Sequence, residues 1–287
     1  MLLTALVDTE ILAQQLADPE WVIFDCRHDL TDPARGRADF EKSHIPGARF
    51  LHLDEDLSAP KTGTNGRHPL PAPDALIEKL GRAGVDARKQ VVAYDAQGGM
   101  IAARLWWLLR WLGHFPVTVL DGGWQRWVEE NRPLSTEVPR PHATRFEGSP
   151  GGAWVDAELV RSRLGDGELL LVDARAPDRF RGQNETLDPV GGRIPGASNR
   201  FYRDNLGADG RFKAPETLRS EFSTVVGSAG LEDVVHYCGS GVSACHNLLA
   251  MECAGLRGGR LYPGSWSEWC ADPSRPTESG EPQAPER

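Results

Sequence analysis

An α/β fold of two tandem domains, each a mainly parallel sheet flanked by helices on both faces, is predicted by three observations. The same words recur in the same order in each half of the chain. Short β-branched apolar runs alternate with helical stretches. Glycine-containing turns follow the ends of those runs.

The repeat is the strongest of the three. The first half carries VIFDCR (Val22 to Arg27), HIPGA (His44 to Ala48), VVAYDAQGG (Val91 to Gly99) and LDGGWQRW (Leu120 to Trp127). The second half carries LLLVDAR (Leu169 to Arg175), RIPGA (Arg193 to Ala197), VVHYCGSG (Val234 to Gly241) and YPGSWSEW (Tyr262 to Trp269). The offset is 148 at Asp25/Asp173, 149 at Pro46/Pro195, 143 at Tyr94/Tyr237 and 142 at Trp124/Trp266. A period this long is a whole domain, not a solenoid unit. Residues 1–135 and 152–275 are therefore read as two domains. The proline-rich stretch between them has the composition of a linker.

The runs VIFD, VVAY, VTVL, LLLV and VVHY have the continuous apolar character of strands buried on both faces. Helices are expected over Ala102–Leu112 and its counterpart Ala244–Ala254. In open α/β sheets ligands bind beyond the strand ends, where the glycine-rich words fall.

Composition narrows the function. Hydrophobic residues make up 40% and charged residues 25% of the 287 residues, as in ordinary globular chains. A formal net charge of -9 argues against nucleic acid as a partner. The amino terminus carries Asp8 and Glu10 and lacks a basic region, so it is not read as a signal peptide. No long uncharged apolar run predicts a membrane span. Five cysteines, an odd number in a chain too large to need disulfides, suggest free thiols and a cytoplasmic setting. Asp272 to Arg287, rich in Pro, Glu and Ser, reads as a frayed tail.

The chemistry points to VVHYCGSGVSACHNLLAME. A strand ends at Tyr237, Cys238 follows, and a helix is expected to begin near Ala244. Gly239 and Gly241 let the loop turn its amides inward, and the helix dipole adds positive potential at the same point. A thiol there ionises more readily than a free one, which makes Cys238 a candidate nucleophile. The first half has Asp95 at the matching position and so reads as catalytically silent. A cysteine phosphatase would need an arginine six residues after its cysteine, where Ala244 stands. Cys245 and Cys253 lack metal-site spacing and read as core, so neither a metal nor a cofactor is expected. The stripe Leu105, Leu108, Leu109, Leu112 with Trp106, Trp107 and Trp111 reads as buried helix surface.

These words resemble the tandem-domain rhodanese-like sulfurtransferases over nearly the whole chain. CGSGVSA is similar to the active-site loop of the 3-mercaptopyruvate-preferring members, with Ser243 where threonine is usual. Thiosulfate-preferring members carry basic residues where this chain has Gly239 and Ser240. The resemblance implies a persulfide on Cys238, loaded from a small-molecule sulfur donor and unloaded by cyanide, a thiol or a thioredoxin-like acceptor. Gly239, Gly241, Val242 and Ser243 would cradle the substrate. It implies that Arg179, in RFRGQNE, binds the donor carboxylate, a task suited to a guanidinium. A second arginine of the family falls at Asp188 here, leaving Arg193 as the nearest substitute. It also implies a proton relay between His44 and Ser240, with Asp32 or Asp39 orienting the histidine. Each assignment has a structural alternative: a buried Cys238, a surface Arg179, and a His44 that merely bridges loop backbone. A non-catalytic persulfide carrier is the rival function.

Overall fold

The computed structural model describes residues 3–281. The chain forms two compact units that are not contiguous in sequence. Unit 1 comprises residues up to Ala59, Leu70–Gly152 and Leu206–Phe212. Unit 2 comprises Pro60–Pro69, Ala153–Asn205 and residues from Lys213 onward. Each half of the sequence therefore lends one short segment to the other unit.

In unit 1 the strands are β1 (Leu6–Val7), β2 (Trp21–Asp25), β3 (Arg49–Phe50), β4 (Gln90–Tyr94) and β5 (Val117–Leu120). They pair in the order β1-β5-β4-β2-β3, all parallel. The helices are α1 (Thr9–Gln14), α2 (Arg35–Lys42), α3 (Pro73–Arg82), α4 (Ala102–Trp111) and α5 (Gly123–Glu129). Unit 2 has β6 (Leu170–Asp173), β7 (Ser198–Asn199), β8 (Val234–Tyr237) and β9 (Arg260–Leu261). They pair in the order β7-β6-β8-β9, again parallel. Its helices are α6 (Ala157–Ser162), α7 (Pro177–Phe180), α8 (Pro215–Val226), α9 (Ser243–Cys253) and α10 (Ser265–Trp269).

The central strands β4 and β8 are buried at every position, as their unbroken apolar runs predict. The helices that follow them, α4 and α9, are buried almost all round and present no polar face. The Leu/Trp stripe of α4 is core, with Trp106 Nε1 donating to Thr4 O at 2.9 Å.

The recurring words are explained by one buried network built twice. Arg175 donates to both carboxylate oxygens of Asp173, at 2.6–3.1 Å, and to Gly192 O at 2.6 Å. Its guanidinium lies 4.9 Å from the ring centre of Trp266. The Tyr237 hydroxyl accepts from Ile194 N–H and bonds Asp173. Unit 1 repeats this with Arg27 on Asp25 and Ser43 O, Tyr94 on Asp25 and Ile45, and Trp124 beneath Arg27 at 4.1 Å. Each network joins all four words: the Asp-x-Arg turn, the IPGA loop, the tyrosine ending the central strand and the tryptophan of the Gly/Ser-Trp helix. Burial alone would lower the Arg175 pKa, but the adjacent Asp173 carboxylate outweighs it and the net shift is upward.

Two expectations are corrected. The stretch between the halves packs on unit 1. Thr144 N–H donates to Gly81 O, Ser149 N–H to Leu112 O and Gly151 N–H to Trp111 O, so it satisfies carbonyls at the carboxyl ends of α3 and α4. Phe146 buries its ring beside His114. The carboxyl-terminal stretch is anchored as well. Arg193 and Glu278 exchange backbone bonds, Arg193 Nη1 donates to Gly280 O, and the two side chains pair. Composition predicted solvation here but could not show the buried partner that captures the strap. Residues 282–287 of that stretch, and residues 1–2 of the amino-terminal stretch, lie outside the described residues. No helix among the described residues is long and apolar enough to cross a membrane.

Replacing Asp173 by Asn should break the buried pair, leave Arg175 only Glu185 at 3.6 Å as counter-ion, and cost about 3 kcal/mol. Urea denaturation of the intact chain measures this; a loss below about 1 kcal/mol would mean the network is not a structural keystone. His236, fully buried on β8, is held by desolvation at a pKa of about 3 against an ordinary 6.5. The folded state therefore takes up its proton only well below the pH at which the unfolded chain does. Its contribution is full above pH 6.5 and falls by about 1.4 kcal/mol per pH unit as pH drops from there toward 3. A His236→Gln protein should show a correspondingly flatter acid limb in thermal unfolding against pH.

Candidate active site

Cys238 sits directly after β8, and α9 begins five residues later at Ser243. The intervening loop is buried, with Cys238 only 2% exposed. Gly241, at φ +77°, turns the chain, and a Cβ there would lie 2.3 Å from Pro263 O, so no side chain fits. The turn directs Gly241 N–H onto the Cys238 sulfur at 3.1 Å. Val242 is the buried residue preceding α9, and Ser243, half-buried, opens the helix. One loop amide thus points at the Cys238 sulfur, and the N-terminus of α9 follows directly in the chain.

The matching loop of unit 1 shows what this geometry holds. Asp95 occupies the position of Cys238, and its carboxylate accepts from four backbone amides: Gln97 (2.8 Å), Gly99 (2.9 Å), Ile101 (2.7 Å) and Ala102 (2.8 Å). Burial pushes the Asp95 carboxyl up, and the four amides offset this only in part, so the net shift is upward. The duplicated loop is an anion cradle, filled in one half by a fixed carboxylate and in the other by sulfur.

Ser265 holds the cysteine from beneath. Its hydroxyl accepts from Cys238 N–H at 3.1 Å and donates to Tyr262 O at 2.9 Å. It does so from a left-handed backbone, φ +54°, that a non-glycine residue adopts at a cost of order 1 kcal/mol. At the equivalent place in unit 1 stands Gly123, at φ +56°. The second unit accepts strain where the first uses glycine.

The histidine beside Ser240 is His68, whose Nδ1 lies 2.7 Å from the Ser240 hydroxyl. His68 belongs to the segment that the first half lends to unit 2. The expected His44 is in unit 1. Its ring nitrogens face Phe40 O (2.7 Å) and Glu137 O (3.0 Å), and it stacks on Phe40 at 4.0 Å. Its repeat counterpart Arg193 does the same work, bonding Gly280 O and lying 4.7 Å above Phe180. Both are clasps for the strap after the Trp helix, so the structure does not bring His44 to Ser240. The same commitment removes Arg193 as a second substrate arginine. His68 was missed although a signal existed. GRH (Gly66 to His68) recurs as GRF (Gly210 to Phe212), with the histidine in the silent half.

Arg179 stands at the carboxyl end of α7, over the loop. Its guanidinium donates to Glu185 at 2.8–3.1 Å and lies 3.5 Å from Asp188. Arg67, beside His68, pairs with the other oxygen of Asp188. A Cβ on Gly239 would lie 2.6 Å from Arg67 Nη2 and 3.8 Å from the Arg179 guanidinium. The loop, neutral in sequence, thus has two guanidiniums over the residue next to the nucleophile.

All five cysteines are free thiols. Cys245 lies on buried α9 with its sulfur at Gly241 O, and no metal-ligating cluster among the described residues includes a cysteine. His28, His52 and Asp54 approach one another in unit 1, but both His52 nitrogens are engaged by backbone.

A model of the rhodanese-like domain matches residues 8–130 and again residues 156–272. A probable 3-mercaptopyruvate sulfurtransferase of Pseudomonas aeruginosa is 46% identical over 96% of this chain and 98% of its own length. A thiosulfate sulfurtransferase of Mus musculus is 32% identical over 94% of this chain and 93% of its own. The solved 3-mercaptopyruvate sulfurtransferase from Leishmania major superposes with a TM-score of 0.83 at 30% identity, covering 93% of this chain and 74% of that one. The chain belongs to the rhodanese-like sulfurtransferase family and carries its domain twice.

Ser265→Gly should relieve the backbone strain while freeing the Cys238 amide. Stability should change by less than about 1 kcal/mol, and the rate of Cys238 alkylation at fixed pH should change with a several-fold loss of kcat/KM. Ser265→Ala, which keeps the strain and loses the bond, should cost about 1–3 kcal/mol in urea melts. Unaltered alkylation in the glycine variant would reduce Ser265 to a packing residue.

Proposed function

We infer that this sulfurtransferase moves a sulfane sulfur from a small donor to a thiophilic acceptor through a persulfide on Cys238. The single observation that carries the assignment is Gly241 N–H on the Cys238 sulfur, in a loop whose twin encloses a carboxylate. The silent half lacks the nucleophile, so the second half is the catalytic one.

The donor best supported is 3-mercaptopyruvate. The Cys238 thiolate attacks its sulfur, forming an S–S bond as the donor's C–S bond breaks, and the bonding pair departs on carbon as the enolate of pyruvate. That carbon must gain a proton as the donor thiol loses one, and the Ser240–His68 pair carries it. Loop amides stabilise the departing anion and then the persulfide, as preorganised donors do in an oxyanion hole. Arg179 holds the donor carboxylate. Thiosulfate reacts by the same attack, with S–S cleavage and sulfite leaving. Cyanide, a thiol or a thioredoxin-like protein then attacks the outer sulfur and restores the thiolate. Five free thiols suit a reducing, cytoplasmic setting.

Incubation with donor should add about 32 Da to the Cys238 peptide and to no other cysteine. Cys238→Ser should lower kcat by at least about 1,000-fold with either donor. Residual turnover near that of the wild type would end this reading, and loading without steady-state turnover would mark a persulfide carrier instead.

A further inference from the structure

The charge balance around Gly239 carries a consequence for donor choice. Arg67 and Arg179 are two cations beside the nucleophile, and Asp188 and Glu185 are two anions on the same guanidiniums. The quartet is formally neutral. Asp188 is the shared member: one oxygen pairs with Arg67 and the other lies 3.5 Å from Arg179. Its side chain is only 3% exposed, so solvent screens it poorly. Glu185 is fixed differently, gripped by Arg179 and by two loop amides, Leu187 N–H at 2.9 Å and Asp188 N–H at 3.2 Å. Those bonds hold its carboxyl below its ordinary pKa against the opposing effect of burial. Glu185 builds the loop, whereas Asp188 faces the second cation.

Arg67 also occupies a telling place. Its guanidinium fills the space a side chain on Gly239 would take. A positive charge therefore stands beside the nucleophile although the loop sequence is neutral, and it comes from a distant part of the chain. Asp188 cancels it.

We propose that Asp188 determines donor specificity by charge, neutralising the Arg67–Arg179 pair so that a monoanionic donor is accepted and a compact dianion is disfavoured. This role for Asp188 rests on the sulfurtransferase reading above and deepens it. Removing one negative charge changes the potential at the sulfur site, and the benefit scales with donor charge. Thiosulfate, with two charges, gains twice as much in free energy as mercaptopyruvate, with one.

The experiment compares kcat/KM for both donors in the wild type, Asp188→Asn and Arg67→Gln. Asp188→Asn should raise the thiosulfate-to-mercaptopyruvate ratio by about tenfold, an advantage that shrinks as salt is added. Arg67→Gln should lower the same ratio, and Asp188→Glu should restore the wild-type value. A readout without turnover runs in parallel: protection of Cys238 from iodoacetamide by sulfate, a dianion, and by pyruvate, a monoanion. Asp188→Asn should improve protection by sulfate several-fold more than by pyruvate. Equal changes for both anions, in Asp188→Asn and in Arg67→Gln, would overturn the charge assignment. Absent turnover alongside the expected protection pattern would count against the sulfurtransferase reading and leave Asp188 as an anion selector.

Discussion

The ion pair between Asp173 and Arg175 is the constraint on which the catalytic unit depends. It is buried at the end of β6, where no water can replace either partner. An isolated charge there would be prohibitive, so everything around it must supply hydrogen bonds. Gly192 O accepts from Arg175, the Tyr237 hydroxyl bonds Asp173, and the Trp266 ring lies against the guanidinium, each from a different segment. Tyr237 is the residue before the nucleophile, and Trp266 N–H donates to Cys238 O at 2.9 Å. The pair thus fixes both ends of the peptide that carries the sulfur. Unit 1 keeps the same frame around Asp25 and Arg27 although it has no nucleophile, which identifies the network as structural in origin.

On that frame the two loops diverge by a few side chains. Asp95 makes its own carboxylate the guest of four amides, while Cys238 places a thiol sulfur at the same point with one amide upon it. Gly123 accepts the left-handed turn without strain, while Ser265 accepts strain and returns a hydrogen bond to the cysteine peptide. The same backbone holds a carboxylate in one unit and a thiol in the other.

The exchange of short segments completes the site. Arg67 and His68 come from the first half of the sequence but belong to unit 2, as Leu206–Phe212 belongs to unit 1. A titratable partner for Ser240 and a cation beside Gly239 therefore reach the cysteine from some 170 residues away in sequence. The catalytic half of the repeat holds neither by itself.

Much was determined by the sequence alone. Duplicated words at a near-constant offset and unbroken apolar runs establish two parallel α/β domains, and a cysteine opening a glycine-containing loop marks the candidate nucleophile in the second. These signals are local: strand burial, turn conformation and helix starts depend on neighbouring residues. Tertiary structure decided which histidine meets Ser240, what His44 and Arg193 clasp, how the proline-rich and carboxyl-terminal stretches pack, and that Asp188 lies between two arginines. Those are pairings across long stretches of chain, set by which buried charges and carbonyls need partners. Spacing along a sequence carries no record of them, because the energy that selects them arises only once the chain has closed around itself.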